Sequence, residues 1–281
     1  QFIPTQSAKI NQSITLNASQ WANKTGIKKI LSKFYHQFFL SSSNEVERTS
    51  NKFSLNPFIS DTNNQISINY AIKNSLYFNR GLQKYSTTYT FASTENKQQF
   101  SIGSQDTDIK YQQIDFQHKL GKFWLVDLQG KLSENNLETE NFNNRNYEIN
   151  TYAFQPKISY VLDNDNRFSA FYHVKDKKNN LSEFEKLKQQ KIGIEYFYQK
   201  KTTTQFNANF TTFFNDFNGN PNSPVGYQML EGLQEGTNYT WTFLWSKKLN
   251  SYLNLNLNYK GRKSLNSKTI HTGSINLKAI F

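Results

Sequence analysis

The side chains best suited to chemistry are four histidines, His36, His118, His173 and His271, in a chain with no cysteine. A zinc site needs several nitrogen, sulfur or carboxylate ligands converging on one point. No two of these histidines stand at metal-ligand spacing. Without cysteine, thiolate ligation and a disulfide scaffold are excluded. Nucleophilic hydrolysis needs a serine beside a histidine base. Ser169 and His173 share a parity, as two residues on one face of a strand must, but that face is the polar one. Ser274 and His271 have opposite parity. Neither pair brings a nucleophile and its base together on the apolar side, and no grouping meets the geometric test for catalysis. The expectation is no catalytic, cofactor-binding or metal-binding residue, and a protein that is not an enzyme.

The strands that would carry these residues are written in the alternation of residue types. Residues 253–260 read LNLNLNYK. Leu253, Leu255, Leu257 and Tyr259 point one way, and Asn254, Asn256, Asn258 and Lys260 the other. Asn is a poor strand former, so this regularity requires two faces with different surroundings. A half-buried soluble sheet has such faces, and so does a membrane barrel with lipid outside and water inside. The same alternation recurs at residues 124–132, 152–162, 167–175, 191–200, 204–214, 239–246 and 269–281. It is weaker at 30–42, 66–78, 84–93 and 109–120. Residues 9–20 are a further candidate.

The connections decide between the two. Short ones at 79–83, 120–122, 163–166, 200–203 and 249–250 hold the Asn, Asp, Gly and Lys that tight turns use. Longer ones at 43–65, 94–108, 134–146, 176–188, 217–237 and 262–268 mostly alternate with them. An up-and-down barrel with short periplasmic turns and long outer loops has this grammar, and a Greek-key sandwich does not. Several runs reach ten or more residues, long enough for a membrane strand. No run approaches the about 20 apolar residues of a membrane helix. A mean hydropathy of −0.75 is compatible, because only half of each barrel strand must be apolar. The reading is an all-β, antiparallel, transmembrane up-and-down barrel of about twelve strands, or about fourteen if upstream strands contribute. Its first strand starts on the periplasmic side. Residues 1–28 are an N-terminal extension or an extra strand, and residues 29–281 are the barrel. If 9–20 is a strand the count turns odd, and one more must come from upstream or from a partner. With Met229 the only methionine, a signal peptide or a longer region is expected ahead of Gln1.

The formal charge is +12. A basic protein can bind nucleic acid, but these lysines lie scattered in pairs near turns, with no localised footprint. Nucleic acid is therefore not an expected partner. The inner face carries Asp115, Asp127 and Glu195 together with Lys119, Lys131, Lys157, Lys175 and Lys260. Pairing across the lumen would give a filled anchor, whereas lining water would give a pore with an anionic preference. Inward Phe123, Phe171, Phe197 and Phe213 favour a narrow or closed interior. The pairs Lys28-Lys29, Lys200-Lys201 and Lys247-Lys248 fall near the short turns, and Lys177-Lys178 and Arg262-Lys263 at the opposite rim. They read as snorkelling cations, with lipopolysaccharide phosphate binding as the sharper alternative for the outer set. The connection at 217–237 holds Pro221, Pro224, Tyr227, Met229, Leu230 and Leu233. That is too apolar for a free loop, so it is expected to fold over the barrel mouth or dock on a partner.

The last residues read SINLKAIF, ending in Phe281 with Ala279, Leu277 and Ile275 alternating behind it. This resembles the C-terminal assembly signal of bacterial outer-membrane barrels. The resemblance implies the bacterial outer membrane as location. It implies membrane lipid, lipopolysaccharide and the barrel-assembly machinery as partners. The block NGNPNSPVGYQMLEGLQEGTNYTWTF, followed by LNLNLNYKGRKS and IHTGSINLKAIF, resembles the C-terminal barrel region of large Bacteroidota outer-membrane proteins. No function transfers with that likeness. The expected role is anchor or scaffold of a larger cell-envelope assembly with protein partners. The alternative is a narrow pore for small anionic or polar solutes, and a soluble sugar-binding or adhesive β-protein stands third.

Overall fold

The computed structural model describes residues 5–17, 19, 23, 25–48, 64–81, 84–100, 103–163, 165–181, 185–201, 203–265 and 267–279. One sheet of thirteen strands contains nearly all of them, and its spatial order is the chain order. The strands are β1 (Thr5–Asn17), β2 (Phe34–Arg48), β3 (Asn64–Phe78), β4 (Tyr85–Phe100), β5 (Gly103–Leu120), β6 (Trp124–Thr139), β7 (Tyr147–Val161), β8 (Asn166–Asn179), β9 (Lys186–Lys200), β10 (Thr204–Asn218), β11 (Gly236–Lys248), β12 (Leu253–Ser264) and β13 (Ile270–Ala279). Every neighbouring pair is antiparallel. Two short helices, α1 (Ile27–Leu31) and α2 (Pro224–Met229), sit in connections. No helix among the described residues is long and apolar enough to cross a membrane.

The alternation works as expected, with an inversion relative to a soluble protein. Ile192 and Ile194 on β9 are 53% and 61% exposed, while Gln189 between the same neighbours is 1% exposed. Ser75, Thr90, Ser159, Ser169, Thr211, Asn215 and Asn238 are likewise buried, whereas Ile158, Phe154, Phe210, Phe214, Ile275 and Leu277 face outward. One face of the sheet is thus apolar and open, and the other is polar and partly enclosed. The total accessible surface is 18923 Å². A compact soluble monomer of 32.9 kDa would show about 12,500 Å². Exposed Ile, Leu, Phe and Tyr side chains on the strands contribute to that excess.

The apolar face is bounded at both ends. At the short-turn rim, aromatic rings form a girdle: Trp124 on Tyr160, Phe168 on Tyr196, Tyr196 on Phe206 and Phe206 on Phe243, with centroids 4.9, 4.5, 5.7 and 4.7 Å apart. Toward the other rim, charges begin along register partners. Lys110 faces Glu134 and Glu134 faces Asn150, while Asp176 faces Lys188 and Lys188 faces Asp216. Between Trp124 and Leu132 on β6 the band spans about 27 Å along the strand at ~3.4 Å per residue. A tilt of about 40° makes that about 21 Å, close to the ~25 Å apolar belt of membrane barrels.

Three expectations need correction. The count among the described residues is thirteen rather than about twelve, because residues 5–17 do pair, along the whole of β1. The sheet therefore starts at the long-loop rim rather than at the short turns, since Thr5 faces Glu47 and Asn17 faces Tyr35. The strands are also longer than the alternation suggests. The region expected as a loop at 94–108 is strand on both sides, with Phe100 facing Gly103, whose φ of 124° suits only glycine. Lengths rise to 18 residues in β5 and fall to 10 in β13. Phe281 lies outside the described residues. Ala279, Leu277 and Ile275 lie on the apolar face, opposite Leu253, Leu255 and Leu257.

A lysine on the apolar face should cost about 2–4 kcal/mol near the middle of the belt. Ile194→Lys is expected to block folding into detergent or lipid, while Asn256→Lys on the polar face leaves it intact. The measurement is the heat-modifiable gel shift with urea titration of each variant. Equal tolerance of both would mean that lipid does not cover Ile194.

Candidate functional site

The polar face carries the charges singled out from sequence, and those of Asp115, Asp127, Lys131, Lys157 and Glu195 make their contacts within their own or nearby strands. Lys157 on β7 forms an ion pair with Glu195 on β9, over the small Ser169 of the strand between. Asp115 accepts hydrogen bonds from Gln113 Nε2 at 2.8 Å and Gln129 Nε2 at 2.8 Å, and Asp127 from Gln117 Nε2 at 2.6 Å. Lys131 stacks over Tyr111 at 4.4 Å. The inward aromatics receive cations too: Arg167 over Phe197 at 5.4 Å and Lys191 over Phe213 at 5.1 Å, each within cation–π range. The Phe171 ring lies over Gly193, where any Cβ would collide with it. Lys119 and Lys260 take part in no ion pair among the described residues.

The histidines stay apart. His36 sits 3.3 Å from Asn74 Oδ1, His118 stacks on Phe116, and His271 Nδ1 lies 2.8 Å from the Tyr259 hydroxyl. Ser169 bonds Ser159 rather than His173. The described residues contain no cluster of three or more His, Cys, Asp or Glu able to hold a metal.

What the structure gathers instead is the connection between β10 and β11. Ser223 caps α2, its Oγ accepting from the Gly226 N–H at 2.9 Å, and Pro224 takes the first helical position. Gly226 packs against the carbonyl of Asn220 so closely that a Cβ there has no room. The helix ends as a Schellman turn. The Gly232 N–H bonds the Tyr227 carbonyl at 3.2 Å and the Glu231 N–H bonds that of Gln228 at 3.3 Å. The left-handed position, usually glycine, is here Glu231 with φ 57°. A non-glycine residue is uncommon there, and its backbone aims the carboxylate back at the sheet.

Glu231 Oε1 meets Lys175 Nζ at 2.5 Å and Lys177 Nζ at 2.9 Å, and its Oε2 lies 3.8 Å from Lys191 Nζ. Lys177 also donates to the Met229 carbonyl at 2.9 Å. Burial works against the charge on Glu231, but Lys177, Lys175 and Lys191 together prevail and hold its carboxyl down at about 2. Beside this latch, Val225, Met229 and Leu230 join Tyr147, Ile149, Leu187 and Phe217 in a buried apolar cluster, with Leu137 packed against it. Burying side chains of this size is worth about 1.5–3 kcal/mol each. On the other flank Arg262 reaches the Gly232 carbonyl at 3.3 Å, and buried Asn238 ties Gln234 to Ser264. The connection thus lies across the polar face from β6 and β7 to β12. Strands that far apart in the sheet can share one loop only because the sheet curls around it.

Of the loop residues expected from sequence, Met229 and Leu230 are buried and Leu233 half-buried, while Pro221, Pro224 and Tyr227 are exposed. Sequence reading missed Val225, Glu231 and Lys191. It also placed Lys177 at the outer rim as a candidate for lipopolysaccharide. The structure turns Lys177 inward, because 177 has the parity of 175 and 173 and not that of Phe168 and Tyr172 on the apolar face.

The sequence matches no protein-family profile and no curated protein. Among solved structures, the NanC porin is similar over 77% of this chain and 99% of its own, at 10% identity and a TM-score of 0.41. The translocator domain of the autotransporter NalP from Neisseria meningitidis is similar over 94% and 92%, at 9% identity and a TM-score of 0.34. CdiB from Acinetobacter baumannii is similar over 98% of this chain and 50% of its own, at 8% identity and a TM-score of 0.47. At these identities and scores the likeness carries no functional statement.

Loss of the Glu231 carboxylate should loosen the loop. The side chain keeps 38% exposure, so solvent screens the latch. Glu231→Gln should therefore cost about 1–2 kcal/mol, less than the ~3–5 of a fully buried pair. A nitroxide at residue 228 reports this as a narrowed line, and Gly226→Ala should narrow it as well. Because the folded value lies below the ordinary carboxylate range, the latch contributes fully above about pH 4.3 and fades as pH falls toward about 2. The line should stay broad at pH 5 and narrow only below about pH 4. A broad line in Glu231→Gln would show that the lysines do not hold the loop through this carboxylate.

Proposed function

We propose that this chain is a β-barrel of the bacterial outer membrane whose outer mouth is closed by its own β10–β11 connection, and that it anchors a larger envelope assembly. The observation that carries the membrane reading is the inversion of the two faces: Ile and Phe open to the surroundings, Ser, Thr and Asn buried. Closed barrels and helices are the structures that satisfy backbone polar groups in hydrocarbon, and no described helix here can span. The observation that supports a closed mouth is the latched loop. It combines a buried apolar cluster, one carboxylate shared by three lysines, and ties to β12 on the far side. A loop fixed at that many points favours an anchor over an open channel. The proposal extends to lipopolysaccharide and protein partners at the outer rim, to insertion by the barrel-assembly machinery, to no enzymatic role, and to the likeness with large Bacteroidota proteins.

A second reading has one observation in its favour. Lys119, Lys131 and Lys260 remain on the polar face without a carboxylate partner among the described residues. If the loop lifts, they would line a narrow pore with an anionic preference.

Planar-bilayer recording separates the two. The wild-type protein should be silent, and deletion of residues 220–232 should open a steady, anion-selective conductance while leaving insertion intact. Steady anion-selective current through the wild type would make the protein a pore, and silence of the deletion variant would place the obstruction elsewhere.

A further inference from the structure

The sheet has two free edges. Among the described residues β1 pairs only with β2, and β13 only with β12. Side chains on both faces of these two strands are open: Ile10, Ile14 and Leu16 at 61%, 58% and 63%, Ile275 and Leu277 at 73% and 59%. The polar residues between them, Asn11, Ser13, Ser274 and Asn276, are exposed as well. An open edge presents a row of unpaired N–H and C=O groups, which hydrocarbon does not tolerate.

The polarity of the edges says what closes them. β1 runs from the long-loop rim, where Thr5 faces Glu47, to the short-turn rim, where Asn17 faces Tyr35. β13 runs the same way, from Ile270 opposite Arg262 to Ala279 opposite Leu253. Direct joining would make one parallel pair in an otherwise antiparallel sheet. One strand running the other way is antiparallel to both edges and makes the count even. Every strand in this sheet lies beside its neighbours in sequence, so the place next to β1 belongs to the segment that precedes it.

We infer that a strand of this polypeptide ahead of β1 closes the sheet, running from the short-turn rim to the long-loop rim between β1 and β13. Its length is about 9–11 residues. Apolar residues in line with Ile10, Ile14, Ile275 and Leu277 face lipid, and Ser, Thr, Asn or Lys alternate with them. The inference follows from the direction and exposure of the two edges, and it rests on the membrane reading above. Three other arrangements compete. β13 could pair antiparallel with β2 after expelling β1, but β1 holds a thirteen-residue ladder on β2 and presents its own apolar face. β1 and β13 could meet in parallel. Two copies could join edge to edge.

Residues 1–281 contain no cysteine, so disulfide mapping is direct once any cysteine ahead of them is replaced by serine. In the full-length protein extracted from the membrane fraction, Asn276→Cys on β13 and Ser13→Cys on β1 are each combined with a single cysteine walked through the residues ahead of β1. Ser274→Cys with Asn258→Cys, direct partners on β13 and β12, is the positive control. The expected result is a ladder of cross-links at every second upstream position, antiparallel to both edges. A direct Ser13–Asn276 link, a link from Asn276 to Ser41→Cys on β2, disulfide dimers, or a mature protein lacking those upstream residues would each overturn the inference. Protein found outside the membrane fraction fails the membrane reading and takes this inference with it. Protein in the membrane with the wrong links fails this inference alone.

Discussion

Everything in the proposed membrane reading depends on the pairing of backbone polar groups in surroundings that offer them no water. Thirteen strands, each hydrogen-bonded to its sequence neighbours, achieve this for the interior of the sheet. With the backbone satisfied in that way, the side chains are free to reverse the usual arrangement. Ile158, Ile192 and Ile194 face outward, and Ser159, Ser169 and Gln189 face in. On the membrane reading, burial of apolar surface, the main driving force of soluble folding, is largely transferred from the protein's interior to its contact with lipid. The aromatic girdle from Trp124 to Phe243 and the charged line through Lys110, Glu134 and Asp176 mark where that contact stops.

One region obeys the ordinary rules. Around α2 the polar face is interrupted by Tyr147, Ile149, Leu187 and Phe217, which bury Val225, Met229 and Leu230 as a soluble core would. This patch sits above the apolar belt, at the long-loop rim, where water is present and the hydrophobic effect can act inside the protein. The lysines beneath Glu231 complete it. Three cations gathered on one wall repel one another, and a single carboxylate delivered by the loop relieves them. The loop and the wall are each poorly arranged without the other.

The legibility of these features in the sequence followed the solvent. Where strands cross the belt, LNLNLNYK and its counterparts expose both faces to reading, and the facing of Leu253, Ile192 or Phe210 was evident from parity. Above the belt both faces meet water, so residues 94–99 and 134–139, TENKQQ and ENNLET, lose alternation and resemble loops although they are strand. The apolar content of residues 225–233 signalled a docked segment, but its partners did not stand out. Leu187 and Phe217 fell inside the expected connections at 176–188 and 217–237, and Tyr147 and Ile149 lay ahead of the expected run at 152–162, so none of the four was assigned to a face although all occupy polar parity. Their common height near one rim was the available signal. The union of Glu231 with Lys175, Lys177 and Lys191 depends on a Schellman turn closing over residues far apart in the chain, and no local spacing announces it.

The uneven strand lengths give the molecule a slanted outline. The strands share a common footing at the short turns, yet β5 has 18 residues and β13 has 10. Beyond Lys110, β5 continues to Gly103, about 24 Å along its own axis at ~3.4 Å per residue. The ends of β4, β5 and β6 therefore extend beyond the apolar belt, carrying Glu95, Lys97 and Asp106, while β12 and β13 end lower. On the membrane reading proposed above, the outer rim is therefore lower over β12 and β13 than over β5, and its height changes around the sheet.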